Sequence, residues 1–254
     1  MSLSRHSSGK KLGAHMTQDK EAREKLEHRY GTIDKHYAIS LATREPEADG
    51  PIYMVNLMKY RAVAEYGDGS NESVSGREAD DKYNPSSVLN KIGADMLFVA
   101  DVVSNDFGDG DWDRIAVVRY PTRRSFVEMQ QRKDFAEKHV HKAAGMERTI
   151  ITCCRPRDLA LDEKVRPEPT EVRTRHVAMV VLGPDATNSA APKGATSLDS
   201  EGTVIGDTRA WSSVHFVELN DTTTTQDVVA QYRSNDLRST YVLTLAPVID
   251  GLTR

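Results

Sequence analysis

Residues 52–60, IYMVNLMKY, form an almost wholly apolar run between Pro51 and a charged stretch. That length and composition predict a β-strand buried on both faces. Period-two alternation puts Ile52, Met54, Asn56, Met58 and Tyr60 on one face and Tyr53, Val55, Leu57 and Lys59 on the other. Helices on one side of a sheet do not cover such a strand, so its second face requires another layer.

Working outward from this strand, residues 61–84 are polar and contain the loop EYGDGSNESVSG, and residues 85–93 carry Val88, Leu89 and Ile92 at helical spacing. A second strand is predicted over 96–103, a turn at NDFGDGDWD (105–113), and a third strand at RIAVVRY (114–120). Pro121 ends that strand, Thr122 is an N-cap, and one helix carrying Phe126, Met129, Phe135, Ala136, His139 and Val140 runs to a stop at Gly145. A fourth strand covers 148–154. This order is the split βαβ pattern of a ferredoxin-like sandwich.

The same order recurs in weaker form over 171–254. Strands are predicted at 176–182, 203–207, 214–219 and 241–248, with a helix at 225–233. The first helix position is occupied by GPDATNSAAPKGATSLDS (183–200), which is too rich in Gly, Pro and Ser to make a good helix. Trp112 and Trp211 each precede a third strand. The chain therefore divides into a polar tail (1–16), a helical extension (17–50), a first repeat (51–155), a charged, proline-bearing linker (156–170) and a second, degenerate repeat (171–254). The fold class is α+β: tandem ferredoxin-like repeats whose antiparallel sheets pack face to face as a dimeric α/β-barrel. An internal pseudo-dimer satisfies this, and so does a homodimer pairing each copy with its counterpart.

Composition restricts function. Thirty-four basic and 38 acidic residues give a net charge of −4, which argues against a phosphate-backbone partner. The apolar runs are too short for a membrane span, and adjacent Cys153 and Cys154 offer no disulfide framework, so a cytoplasmic location is expected. The stretches DGPIYMVNLMKYRAVAEY, SGREADDKY, WDRIAVVRYPTRRSFVEMQQRKDF and ERT resemble the family filed as domain of unknown function 1330, within the dimeric α/β-barrel superfamily. The resemblance covers roughly 48–154 and implies that any inherited site lies in the first repeat. The superfamily includes cofactor-independent monooxygenases, muconolactone-type isomerases and haem-dependent chlorite dismutases, so the fold leaves the activity open.

Asn56 is an amide in an apolar strand and must either brace structure or meet a ligand. Tyr60 and Arg61 leave the same strand end, where a phenol and a guanidinium orient an anionic or enol-like compound, although Arg61 also reads as simply exposed. Arg119 shares a face with Ile115 and Val117 and is either a substrate clamp or an inter-sheet ion pair. Asn56, Tyr60 and Arg119 are the catalytic candidates. Met54, Met58, Arg61, Tyr120, Arg123 and His215 are the substrate-binding ones, with Arg123 also readable as a solvated first-turn residue and His215 as a satisfied core histidine. His139 and His141 stand about 200° apart on a helix and cannot share a metal, and Asp106, Asp109, Asp111 and Asp113 lack calcium-loop spacing and read as a solvated hairpin. No metal and no cofactor are expected. The expected activity is isomerisation, cyclisation or cofactor-free oxygenation of an apolar or aromatic acid or carbonyl compound through a stabilised enolate. The opposing reading is a non-catalytic ligand-binding or structural dimerisation protein.

Overall fold

The computed structural model describes residues 30–67, 73–163 and 175–253. The tail and residues 17–29 of the helical extension lie outside them. At residues 32–33 the chain is a short strand, β1 (Thr32–Ile33), followed by helix α1 (Lys35–Ala42) with Asp34 as its cap. The first repeat then runs β2 (Ile52–Tyr60), α2 (Gly76–Tyr83), α3 (Ser86–Lys91), β3 (Asp95–Phe107), β4 (Arg114–Tyr120), α4 (Arg123–Gln130), α5 (Lys133–Gly145) and β5 (Met146–Pro156). A short helix α6 (Ala160–Glu163) precedes β6 (Val177–Leu182), β7 (Thr196–Gly206), β8 (Ser213–Glu218), α7 (Thr225–Tyr232) and β9 (Thr240–Asp250).

Within each repeat the strands have one order. In the first it is β5-β2-β4-β3, and in the second β9-β6-β8-β7, both antiparallel. The two sheets also join at their edges, β3 to β9 and β5 to β7. Strands β2 to β9 thereby close into an eight-stranded barrel, with β1 added on β7. This is the dimeric α/β-barrel architecture, formed within one chain. Closure gives every edge strand a partner for its backbone N–H and C=O groups.

The alternation on β2 places Tyr53, Val55 and Leu57 in the barrel interior, where Phe98 of the first repeat meets Phe216 of the second with ring centroids 5.1 Å apart. The opposite face carries Ile52 and Met54 under the helices. Cys153 and Cys154 divide the same way, one to each layer.

Several local expectations change. Strand β3 continues through Asn105–Phe107, so the turn begins at Gly108, which adopts φ 98°. The aspartates after it are ion-paired as well as solvent-facing: Asp109 with Arg209, and Asp111 and Asp113 with Lys59. Helix α2 lies in a stretch whose polarity suggested loop, and it is started by a Ser75–Glu78 capping box. The single long helix is two, broken at Gln131–Arg132, with Thr122 capping the first. Residues 183–195 form no helix, and β7 begins at Thr196, seven residues earlier than its composition suggested. Asn188 instead ties this loop to α7 through Gln231 and Asn235. The start of the linker is also structured: Leu161 enters the interior cluster, and Asp162 accepts from the Tyr53 hydroxyl at 2.7 Å.

Arg123, a substrate-binding candidate also readable as solvated, is 1% exposed. Its guanidinium pairs with Asp49 at 3.2 Å and with Glu201 of β7, joining the two repeats. Burial alone would raise the Asp49 carboxyl, but backbone N–H groups of Arg123, Arg124 and Gly50, together with the Arg123 side chain, hold it below its ordinary value. Removing the cation strands two carboxylates, so Arg123→Ala should cost about 3–5 kcal/mol in urea unfolding. A loss under about 1 kcal/mol would mean that the network contributes little.

Candidate functional site

A cleft of about 1740 Å³ lies between the outer face of the first-repeat sheet and its helices. Its floor is Met54, Asn56 and Met58 of β2 with Ala116, Val118 and Tyr120 of β4. The cross-strand pairs Asn56–Ala116 and Met54–Val118 fix this surface. Helix α2 supplies Asp80 and Tyr83 to the wall, α4 supplies Phe126 and Met129, and α5 supplies Phe135, His139 and Lys142.

Two glycines bring α2 and α5 together. A Cβ on Gly76 would lie 2.3 Å from the Gly145 carbonyl oxygen and 2.6 Å from that of Arg61. Gly145 is thus the last residue of α5, selected for close approach rather than for a left-handed stop. Asp80 is one helical turn after Gly76, and Lys142 nearly one turn before Gly145, so the contact carries both into the cleft.

Asn56 is 8% exposed. Its Nδ2 donates to the Met54 carbonyl at 3.1 Å and weakly to that of Ala116 at 3.5 Å. Those two acceptors fix the amide orientation, since a flip would set oxygen against oxygen. Among the described residues nothing donates to Oδ1, and the residue lines the cleft. Asn56 therefore braces β2 with one end and presents an acceptor with the other.

The Tyr60 hydroxyl donates to Asp80 Oδ2 at 2.6 Å, while Asp80 Oδ1 is buried without a partner among the described residues. Burial, and then the Asp80 charge, keep the Tyr60 phenol well above its usual range. Burial likewise raises the Asp80 carboxyl, outweighing Lys142 and the Tyr60 hydroxyl, which pull it down. Lys142 is pushed the other way by burial, with Asp80 opposing, and its ammonium stands 5.3 Å over the Tyr83 ring. His139 stacks beside Phe135 and engages the Tyr30 hydroxyl through Nε2 at 2.9 Å. Burial first, and the Lys142 charge second, lower it from an ordinary 6.5 to about 4.

The remaining sequence candidates lie apart from this cluster. Arg119 is ion-paired with Asp162 of α6 at 3.1 Å, and both also line the cleft. Arg61 pairs with Glu65 at 3.4 Å, and Arg123 serves the inter-repeat network. His215 is in the second repeat with its ring nitrogens on Ser197 and Ser213, a satisfied core histidine that burial lowers to about 4. Sequence reasoning passed over Asp80, Tyr83 and Lys142, and Tyr30 with them. For Asp80 and Tyr83 the available signal was SGREADDKY, one of the stretches quoted for its resemblance to a known family; Lys142 and Tyr30 carried none. His139 and His141 have separate partners, Tyr30 and Tyr66. Among the described residues no group of three or more His, Cys, Asp or Glu side chains is arranged to hold a metal ion. None of the described helices is long and apolar enough to cross a membrane.

No protein-family model matches the chain, and no curated protein sequence matches it. Among solved structures it is similar to methylated RPA0582 protein at 27% identity, over 51% of this chain and 97% of that one, with a TM-score of 0.45. A second structure of RPA0582, a protein of unknown function from Rhodopseudomonas palustris, aligns at 25% identity over 49% and 94% of the two chains, with a TM-score of 0.43. Chlorite dismutase from Candidatus Nitrospira defluvii in complex with imidazole aligns over 83% of this chain and 95% of its own, at 10% identity and a TM-score of 0.42. Likenesses this distant bear on neither activity nor ligand.

The depressed histidines imply a pH dependence. Because the folded state disfavours their protonation, the unfolded chain binds more protons below 6.5, and stability is lost as pH falls from about 6.5 toward 4. Urea midpoints should fall across that window, and a His139→Gln His215→Gln variant should flatten the slope. An unchanged slope in the variant would contradict the assignment.

Proposed function

We propose that the first-repeat cleft binds a small apolar or aromatic compound carrying a carbonyl or acidic group, and that the groups around Asn56 move a proton on it. The observation that supports this reading is the free Oδ1 of Asn56 on a largely apolar floor, in a cleft whose wall also carries Asp80 and Lys142. An apolar cleft with a few convergent polar groups and displaced protonation equilibria is the usual form of a small-molecule site.

The sequence made Asn56 a catalytic candidate in chemistry that stabilises an enolate, without saying which end of the amide would act. Its donors are already committed to backbone carbonyls, so it accepts instead, from a ligand hydroxyl, enol or N–H. The donor for a carbonyl or enolate oxygen is then Lys142. Asp80, bonded to Tyr60, is the group positioned to give or take a proton. In this reading Arg119 is held by Asp162 and does not touch ligand. The reactions that fit are isomerisation, cyclisation and cofactor-free oxygenation through an enolate. Kinship with the domain of unknown function 1330 family, carried by NLMKYR and YPTR, belongs to this proposal as well.

A thermal-shift panel of aromatic acids, ketones and lactones tests it. A ligand at 100 times its dissociation constant adds about 2.7 kcal/mol. Asn56→Leu should fold and weaken that ligand about tenfold through the lost hydrogen bond. Equal stabilisation of wild type and Asn56→Leu by every responsive ligand would contradict the assignment.

A further inference from the structure

We infer that Lys142 is a carbonyl-capturing amine whose Nζ forms an imine with an aldehyde or ketone carbon held in the first-repeat cleft. This rests on the reading of that cleft as a ligand site and narrows the ligand class to carbonyl compounds.

The argument begins with how this chain treats its other lysines. Lys59 is held by Asp111 and Asp113 at 2.9 and 3.1 Å, and Lys91 by Asp134 at 2.8 Å. Lys142 is far more buried, 8% exposed, and lines the cleft, yet among the described residues no oxygen accepts a hydrogen bond from its Nζ. Its hold is the face of the Tyr83 ring at 5.3 Å rather than a carboxylate, and a buried charge without a carboxylate partner is costly. Asp80 lies on the same cleft wall, near enough for its charge to act on Lys142, and among the described residues its Oδ1 is buried and unpartnered. Burial favours the uncharged member of each: the amine on Lys142 and the carboxylic acid on Asp80. A lysine whose proton is disfavoured by burial is a readier nucleophile, and a carboxyl on the same cleft wall supplies and recovers the proton its reaction needs.

The chemistry balances without a further reagent. The Nζ lone pair bonds to the carbonyl carbon, and a proton passes from nitrogen to oxygen to give a carbinolamine. The Asp80 carboxyl then protonates the hydroxyl, the C–O bond breaks, water leaves and the nitrogen lone pair completes the C=N bond. The Asp80 carboxylate recovers its proton from the iminium nitrogen. Tyr60, hydrogen-bonded to Asp80 Oδ2, is a positioning residue that leaves Oδ1 uncommitted.

The test is reductive trapping on the full chain with benzaldehyde and cyanoborohydride, read by intact mass and peptide mapping. One benzyl adduct per chain is expected on Lys142, formed at least tenfold faster than on any other lysine. Lys142→Met, which replaces the amine by an apolar side chain of similar length, and Lys142→Arg, which keeps the cation, should both fold and lose the fast adduct. Labelling led by exposed lysines such as Lys133, with Lys142 no faster, would overturn the proposal. The thermal-shift panel is run in parallel to separate the two readings. Stabilisation through Asn56 without a Lys142 adduct rejects the imine alone, and the absence of both rejects the ligand site as well.

Discussion

Two four-stranded antiparallel sheets expose four edge strands, and the pairings of β3 with β9 and β5 with β7 satisfy all four within one chain. Closure decides what each face of a strand can do. Inward faces must fill one continuous interior, which is why Phe98 and Phe216 from different repeats share it. Outward faces are left to whatever helices each repeat supplies. In the second repeat a single helix, α7, and a loop tied down through Asn188 cover Val180, Val217 and Val242. In the first, helices α2 to α5 stand over the sheet and leave a cleft between the layers.

That cleft owes its polar end to backbone proximity. Gly76 and Gly145 let α2 and α5 touch main chain to main chain, with the Gly145 carbonyl accepting from Arg61 N–H at 2.9 Å and Gly76 N–H donating to the Arg61 carbonyl at 3.0 Å. Side chains a turn from such a contact cannot reach solvent readily. Asp80 and Lys142 are desolvated together for this reason, and the same packing puts His139 against Phe135 and Tyr83. Charges that look superficial in sequence are thus drawn to the edge of an apolar chamber.

Much of the fold was legible because strands dominate it. The two-sided apolarity of IYMVNLMKY demanded cover on both faces, and RIAVVRY supplied its partner in register from Ile52–Tyr120 to Met58–Arg114. The repeat was readable from element order. Helix α2 was not, since GREADDKY has few apolar residues and is fixed by its capping box and by Gly76. Of the site, alternation placed Met54, Asn56 and Met58 on the cleft face. It could not show which end of the Asn56 amide would be free, because that depends on the carbonyls of Met54 and of a strand sixty residues away. Arg119 and Arg123 found their carboxylates on α6, on the loop before β2 and on β7, distances along the chain that no local pattern encodes.

The methionines provide a direct test, because they report on the two layers separately. Met54, Met58, Met96 and Met129 line the cleft, whereas Met179 belongs to the barrel interior. In a methyl-labelled sample titrated with an aromatic carbonyl compound, the four cleft methyl resonances should shift in a saturable manner while that of Met179 stays in place. Saturable shifts led by Met179, or a full panel of such compounds that moves none of the four, would contradict a ligand site between the helices and the sheet of the first repeat.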